Sequence, residues 1–381
     1  MDFTINEDAR ALRDNVRRLV DNELIPAEKE VEELDRVPDR LSEMIREMGL
    51  CGLTIPEEYG GIGLDCLSTT LVLEQIGRAH SAFRAAISTN NGIGSKALIH
   101  SGTEEQKQSY LPRIASGEWL AAFALTEPEA GSDAAAIRTT AERKGDEYVL
   151  NGLKHFITNG PEADVVTVMA LTDPEKKARG GISAFIVERG TPGLRVARVQ
   201  KTMGPGGYHQ GELVFEDCAI PAENRLGEEG EGLRIALQTL NHGRVVLAAA
   251  AVGLAQRMLD MSLEHAKLRV QFGRPLSKFQ AIQFKLADMA TAVHTSRLLV
   301  RHSAWLVDQG QPARGQAAMA KLYATEALGR VADEAVQIFG GMGYMCELPI
   351  ERMYREARLY RIVEGTSEIQ RIVISRDLLS D

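Results

Sequence analysis

At 381 residues the chain is too long for one simple core and predicts two or three domains. With 44% hydrophobic and 25% charged residues the composition is that of a globular protein, and the net charge of −9 argues against nucleic acid as a partner. Cys51, Cys66, Cys218 and Cys346 are widely spaced, form no CxxC pair and have no histidine at metal-ligand intervals, so they predict reduced thiols rather than a metal site.

Residues 1–117 predict a helical domain. Met1-Asp2-Phe3-Thr4 opens without an apolar signal core or an arginine-rich leader, and no apolar run reads as long enough to cross a bilayer. The expected location is a bacterial cytoplasm, with the mature mitochondrial matrix form of an organellar protein as the alternative. Leu12, Val16, Leu19 and Val20 recur at helical spacing, as do Leu41, Met44, Ile45 and Met48. Residues 56–63 are rich in turn formers and break the pattern. Helical periodicity resumes over 68–77 and, with interruptions, over 82–100. Thr103 and Gln106 have capping-box spacing ahead of a short helix that ends near Ser116 and Gly117.

Residues 118–225 predict strands. The runs 121–125, 164–171 and 182–187 are short, apolar and bounded by turn formers, with no long helix between them. A small antiparallel β-barrel or sandwich fits this pattern better than a βαβ sheet. Residues 226–381 return to helical spacing: Val245, Ala249, Val252 and Leu259 share one face, and Ile282, Leu286, Met289 and Val293 share another. Long antiparallel helices of this kind predict a four-helix bundle. No GxGxxG follows a strand. Gly340-Gly341-Met342-Gly343 trails a helical pattern and reads as a helix stop.

Near the end, residues 361–371 read Arg-Ile-Val-Glu-Gly-Thr-Ser-Glu-Ile-Gln-Arg. Glu364 precedes Gly365, which frees the backbone beside it, and Ser367 with Gln370 has capping-box spacing. Ile369, Val373 and Leu378 predict an apolar face beyond. A carboxylate is thus held on a loop ahead of a helix N-terminus. Alone, this stretch reads better as a capped surface helix preceded by an ordinary acidic loop residue.

Set beside Ala124-Leu125-Thr126-Glu127-Pro128-Glu129-Ala130-Gly131-Ser132-Asp133, it resembles the acyl-CoA dehydrogenase family of flavoenzymes, and the likeness runs along essentially the whole chain. The resemblance implies an N-terminal helical domain (1–117), a middle β domain (118–225) and a C-terminal helical bundle (226–381), with FAD held between the last two. It implies that Phe123, Leu125 and Thr126 lie along the flavin ring, and that in Phe156-Ile157-Thr158-Asn159-Gly160 Phe156 covers the ring face while Thr158 sits near flavin N5. Phe156 stands where the family usually has tryptophan. Arg269 and Phe272, in Arg269-Val270-Gln271-Phe272-Gly273, together with Phe279 and Gln280, resemble residues that meet the cofactor of a neighbouring subunit. Ser277 and Gln280 also have capping-box spacing. Gln337, Phe339, Gly340 and Gly341 match the segment that reaches the adenine side from the partner chain, and Thr366 and Glu368 match further FAD contacts.

By the same resemblance Glu364 is the catalytic base, taking the α-proton of an acyl thioester while the β-hydrogen leaves as hydride to flavin N5. Ser132, Asn241, Arg244 and Gly365 are the matching substrate contacts. Asn241 replaces the family's usual aspartate. Some relatives place the base within the segment corresponding to Asn241-His242-Gly243-Arg244, where this chain has Gly243. His155 and His242 are expected at buried or rim positions, and His209 sits in a glycine-rich loop that lies near the acyl pocket in relatives. Small residues at 85–91 leave acyl length and branching open. The implied partners are an acyl-CoA substrate, an electron-transferring flavoprotein and further copies of the chain in a dimer-of-dimers tetramer, in fatty-acid or amino-acid catabolism. An oxidase using oxygen on the same fold and a non-catalytic acyl-CoA binder are the competing readings, and the presence of Glu364 argues against the second.

Overall fold

The computed structural model describes residues 5–379, so the acidic opening at residues 1–4 lies outside the described residues. Seven helices come first: α1 (Glu7–Leu19), α2 (Glu28–Leu34), α3 (Asp39–Glu47), α4 (Cys66–Ile76), α5 (Ser81–Asn91), α6 (Lys96–Ser101) and α7 (Glu104–Ser116). The capping box at the start of α7 forms as expected, with the Thr103 side chain and Gln106 N–H, and the Gln106 side chain and Thr103 N–H, bonded reciprocally.

Eight strands follow: β1 (Ala121–Ala124), β2 (Thr140–Lys144), β3 (Glu147–Thr158), β4 (Val165–Leu171), β5 (Ile182–Glu188), β6 (Leu194–Val199), β7 (Gln210–Pro221) and β8 (Arg225–Leu226). They form one sheet in the order β6-β7-β3-β2-β4-β5-β8, with β1 also on β4. The sheet is mixed, which corrects the antiparallel expectation. β1 runs parallel to β4, and β2 meets β4 in parallel at Thr140 and Leu171. The chain covers the distance between β1 and β4 through the β2–β3 hairpin, so β1 re-enters alongside β4 in the same sense.

Side chains alternate between two cores along β1, β4 and β5. Ala121, Phe123, Val165, Met169, Ile182, Ala184 and Ile186 face α6, α7 and the start of the next helix. Ala122, Ala124, Val166, Val168, Phe185 and Val187 face the sheet's own interior. Burial on both faces is why these strands read as unbroken apolar runs.

The last third contains α8 (Gly232–Leu268), a short hairpin β9 (Val270–Gln271) and β10 (Arg274–Pro275), then α9 (Gln280–Asp308), α10 (Arg314–Phe339), α11 (Gly341–Tyr344), α12 (Ile350–Tyr360) and α13 (Ser367–Leu379). α8 is buried on every side from Val245 to Ala255, because α4 covers the flank that α9 and α10 leave open. The glycines Gly77 and Gly253 set that approach. A Cβ at Gly253 would lie 1.9 Å from the Glu74 carbonyl oxygen, and one at Gly77 would lie 2.3 Å from that of Ala250.

α8 corrects one sequence expectation, since it is long and apolar enough to cross a membrane by length and composition. Of its apolar window 83% is buried inside the protein, so the run belongs to a core helix. The capping box expected at Ser277 and Gln280 does not form. Gln280 is itself the first residue of α9, and Phe279 precedes it without a side-chain cap. Leu378 is exposed rather than part of the α13 apolar face, of which Val373 is buried.

Candidate active site

Residues 361–366 turn sharply between α12 and α13, and the turn presents Glu364. Both Glu364 (φ +55°) and Gly365 (φ +91°) occupy the left-handed region. Glycine accepts that geometry freely, whereas a glutamate there is strained and must be held by its surroundings. The holding groups are hydrogen bonds to the two carbonyls. Lys321 Nζ and Gln370 Nε2 donate to the Gly365 oxygen at 2.9 and 2.8 Å, and Gln370 Nε2 also donates to the Glu364 oxygen at 3.2 Å. Arg244 Nε reaches the same Glu364 oxygen at 3.5 Å.

Gln370 is therefore a clamp on the loop and not half of a capping box, which corrects the Ser367–Gln370 expectation. The α13 cap is Thr366, whose hydroxyl accepts from the Ile369 N–H at 3.4 Å, while the Ser367 hydroxyl donates to Glu326 at 2.7 Å. Thr366 thus closes the helix start, and Glu368 is exposed in its first turn with Arg371 nearby.

The Glu364 side chain lies over α8 at Gly243, where a Cβ would sit 2.4 Å from Oε2 and 3.0 Å from Cδ. Its Oε2 is shielded from solvent and has no hydrogen-bond partner. Desolvation pushes the carboxyl pKa above its ordinary value, and the positive charges of Arg84, Lys321 and Arg244 oppose that rise only in part. Gly243→Ala should lower the rate of flavin reduction about 100-fold while the protein keeps its cofactor, because a methyl there displaces the carboxylate. An unchanged single-turnover rate in that variant would mean that the carboxylate works from another position.

Around the loop the cations are ordered by burial. Lys321 on α10 is fully buried, and desolvation brings its pKa down to about 8, with Glu364 opposing the fall. Arg244 is buried, and its Nη1 donates to Asn241 Oδ1 at 2.8 Å. His242 is held neutral, its pKa lowered to about 3 by desolvation. His209 stands apart, on the surface between Asp35 and Glu162.

A second group forms where β1 ends beside β3. The His155 N–H donates to the Thr126 carbonyl at 2.8 Å, and Lys154 Nζ donates to the Leu125 carbonyl at 3.1 Å and to Glu127 Oε1 at 2.7 Å. Glu127 in turn accepts from the N–H groups of Arg138 and Thr139. This buried pair fixes the loop after β1. Desolvation lowers the Lys154 pKa to about 8, with Glu127 opposing.

β3 breaks register against β7 between Lys154 and Ile157. The bulge puts Phe156 at φ +59° and turns its ring outward, 60% exposed and stacked on His155 at 3.9 Å. Leu125, Thr126, Phe156 and Thr158 therefore share one neighbourhood. Asn159 Nδ2, one residue further on, donates to the Ala85 carbonyl of α5 at 3.4 Å, which joins this strand end to the helix carrying Arg84. Ser132 is exposed on the loop between β1 and β2.

A third group lies along α8 from the first. Arg269 follows the helix, 25 residues beyond Arg244, which at 1.5 Å per residue is about 37 Å. Phe272 is 94% exposed at the hairpin tip, edge-on to Phe279 at 6.2 Å, while Gln280 is exposed beside it. His265 stacks on Phe339 at 4.1 Å, so the α8 end and the α10 end, with Gln337, Gly340 and Gly341, come together. Gly340 (φ +62°) stops α10, and a Cβ on it or on Gly341 would meet nothing within 4 Å.

Open glycine backbone, an exposed arginine and outward aromatic rings fit a large flat cofactor carrying phosphates. Among the described residues no group of three or more His, Cys, Asp and Glu could hold a metal ion. The sequence pattern singled out neither Lys321 nor Arg84, and it gave Gln370 a capping role in place of the loop clamp. Lys321 had a visible signal: it occupies the apolar face set by Ala317, Ala324 and Leu328.

Three family models match successive parts of the chain: acyl-CoA dehydrogenase N-terminal domain at residues 6–118, middle domain at 122–218 and C-terminal domain at 230–379. An acyl-CoA dehydrogenase of Bacillus subtilis (strain 168) is 44% identical over 375 residues, 98% of this chain and 99% of that one. Butyryl-CoA dehydrogenase from Megasphaera elsdenii superposes with a TM-score of 0.96 at 40% identity, covering 100% of both chains. A chain in a structure of the electron transferring flavoprotein of Acidaminococcus fermentans superposes with a TM-score of 0.97 at 46% identity, again over 100% of both.

Proposed function

The chain belongs to the acyl-CoA dehydrogenase family, and from that premise we propose that it removes two hydrogens from adjacent carbons of an acyl-CoA thioester, with Glu364 as base and FAD as cofactor. It is an oxidoreductase acting on CH–CH donors. The observation that carries the residue assignment is the Glu364 Oε2 oxygen, shielded, without a hydrogen-bond partner and resting on a glycine.

Proton removal from the α-carbon needs a strong base and a partner for the charge that develops on the thioester oxygen. Burial strengthens the Glu364 carboxylate as a base, and the strained turn keeps it pointed across Gly243. The Glu364 N–H donates to the thioester carbonyl in this reading, with the Glu364 and Gly365 carbonyls pinned behind it. Bound FAD supplies an electron-poor ring that accepts the β-hydrogen as hydride. Phe123, Leu125, Thr126, Phe156 and Thr158 hold that ring, and Thr366 and Glu368 add contacts beside the base. Ser132, Asn241, Arg244 and Gly365 line the path of the thioester and its CoA.

Arg269, Phe272, Phe279, Gln280, Gln337, Phe339, Gly340 and Gly341 serve the cofactor of a second copy of the chain, since about 37 Å of helix separates them from the base of their own. A homo-oligomer, a tetramer built as a dimer of dimers, is the assembly proposed. Electrons leave to an electron-transferring flavoprotein.

Anaerobic mixing with a panel of acyl-CoA thioesters tests the proposal, with bleaching of the flavin as the readout. If no thioester bleaches the flavin, the proposal fails; a stoichiometric peroxide yield in air would replace the flavoprotein acceptor by oxygen.

The pH dependence has a defined sign. Glu364 works deprotonated and its pKa is raised, so reduction should speed up as pH rises through that pKa. Lys321 favours the charged carboxylate, so Lys321→Met should move the acid limb of the rate profile to higher pH. A limb that stays in place would mean that Lys321 serves only as a donor to the Gly365 carbonyl.

A further inference from the structure

Beside Glu364 the interior is polar where a plain hydrocarbon chain would call for apolar walls. Arg84 comes from the first turn of α5. Its Nε is shielded from solvent without a hydrogen-bond partner, and no carboxylate lies within ion-pair distance of its guanidinium among the described residues. Its guanidinium carbon is 5.4 Å from the ring centre of Tyr360, and the Tyr360 hydroxyl is also shielded and without a partner. Glu356, one turn earlier on α12, is buried with both carboxylate oxygens unpartnered. Tyr208, on the glycine-rich loop, completes the group, because its hydroxyl is within hydrogen-bonding reach of Arg84 and Ser81 of α5.

Arg84 stands over Tyr360, which ends α12 four residues before Glu364, and its charge leads those that favour the Glu364 carboxylate, so the cluster adjoins the base. Buried polar atoms without partners are costly, and three residues share that state here. A ligand that bonds to them accounts for their persistence. We infer that this cluster receives the far end of the acyl chain, and that the preferred thioester is a short ω-carboxyacyl-CoA whose terminal carboxylate is held by Arg84 with the Tyr208 and Tyr360 hydroxyls.

The inference rests on the acyl-CoA reading of the Glu364 site and deepens it. A guanidinium fork matches a carboxylate with two charge-assisted hydrogen bonds. A methyl-ended chain would leave the same cation buried against hydrocarbon. Glu356 does not bar an anion, since desolvation raises its carboxyl to about 7, with Arg352 and Arg84 opposing. Near neutrality it can take a proton and donate to the arriving carboxylate.

The test compares glutaryl-CoA and adipoyl-CoA with pentanoyl-CoA and hexanoyl-CoA in anaerobic reduction of the holoenzyme. The ω-carboxy thioesters should be preferred by at least about tenfold. Compared at a pH above the acid limb of each protein, where loss of the Arg84 charge no longer limits Glu364, Arg84→Gln should lower the rate-to-affinity ratio of the ω-carboxy pair about 100-fold relative to that of the methyl-ended pair, with Arg84→Lys recovering part of the discrimination. Retained flavin and an unchanged melting temperature show that the variants fold. Binding measured in a Glu364→Gln background, where turnover is blocked, should show the same discrimination. Preference for the methyl-ended pair overturns the inference, as does an equal loss on both pairs with a shifted acid limb, which would make Arg84 a partner of the base alone. Failure of all four thioesters to reduce the flavin overturns the acyl-CoA reading as well.

Discussion

Glu364→Gln is expected to bind thioester and keep its yellow cofactor yet reduce that cofactor up to about 10⁴-fold more slowly, the upper range for loss of a general base. Glutamine has the volume and shape of glutamate, so the fit over Gly243 survives. The carbonyl clamps from Lys321, Gln370 and Arg244 bind the backbone and are untouched by the change. What disappears is a basic oxygen at Oε2, the atom that has no partner of its own. Stopped-flow reduction under anaerobic conditions measures the effect. A rate within tenfold of the parent would remove Glu364 from the chemistry.

Glu28→Ala should cost about 3–5 kcal/mol of stability, read as a lower urea midpoint at unchanged slope. Glu28 on α2 is buried and accepts from Arg257 Nη2 of α8 at 2.8 Å and from Arg352 Nη2 of α12 at 2.7 Å. Desolvation alone would raise its pKa, but the hydrogen bonds and charges of the two arginines outweigh it and the net shift is downward. Its stabilising contribution is therefore complete above the ordinary carboxylate pKa and is lost as pH falls through the lowered folded value. Removing the anion strands two cations in the interior. Replacing all three residues by methionine should be far milder, because no uncompensated charge remains. Equal midpoints for Glu28→Ala and the parent would show that water already reaches the cluster.

Local signals with short-range physics were legible in the sequence. The Thr103–Gln106 box, the helix stop at Gly340 and the apolar strands β4 and β5 each depend on a few adjacent residues. Gly365 advertised a tight turn, although the left-handed φ of Glu364 itself had no signal, because the holding groups come from α8, α10 and α13. The same spacing rule misfired at Ser367–Gln370 and Ser277–Gln280. At the first, the loop carbonyls outcompeted the cap for the glutamine amide; at the second, the helix began two residues later than the rule assumed. Parallel pairing of β1 with β4 was invisible because buried strands of either sense read alike. The apolar length of α8 was underestimated because scattered polar residues interrupt a run that periodicity assigns to one face. Arg84 escaped because a single charge among Ala82, Phe83, Ala85 and Ile87 looks like a surface position until the helix is seen packed on both sides.

α8 also acts as a measuring rod. Arg244, a third of the way along, and Arg269, just past the far end, keep their separation and their angular relation only while every turn between them is intact. One inserted residue would advance the far end by about 1.5 Å and rotate it by about 100°. It would also drive a side chain into the backbone contact that Gly253 makes with α4. Evolutionary gains and losses of length should therefore collect in the connections, such as the segment between β5 and β7, and spare this helix.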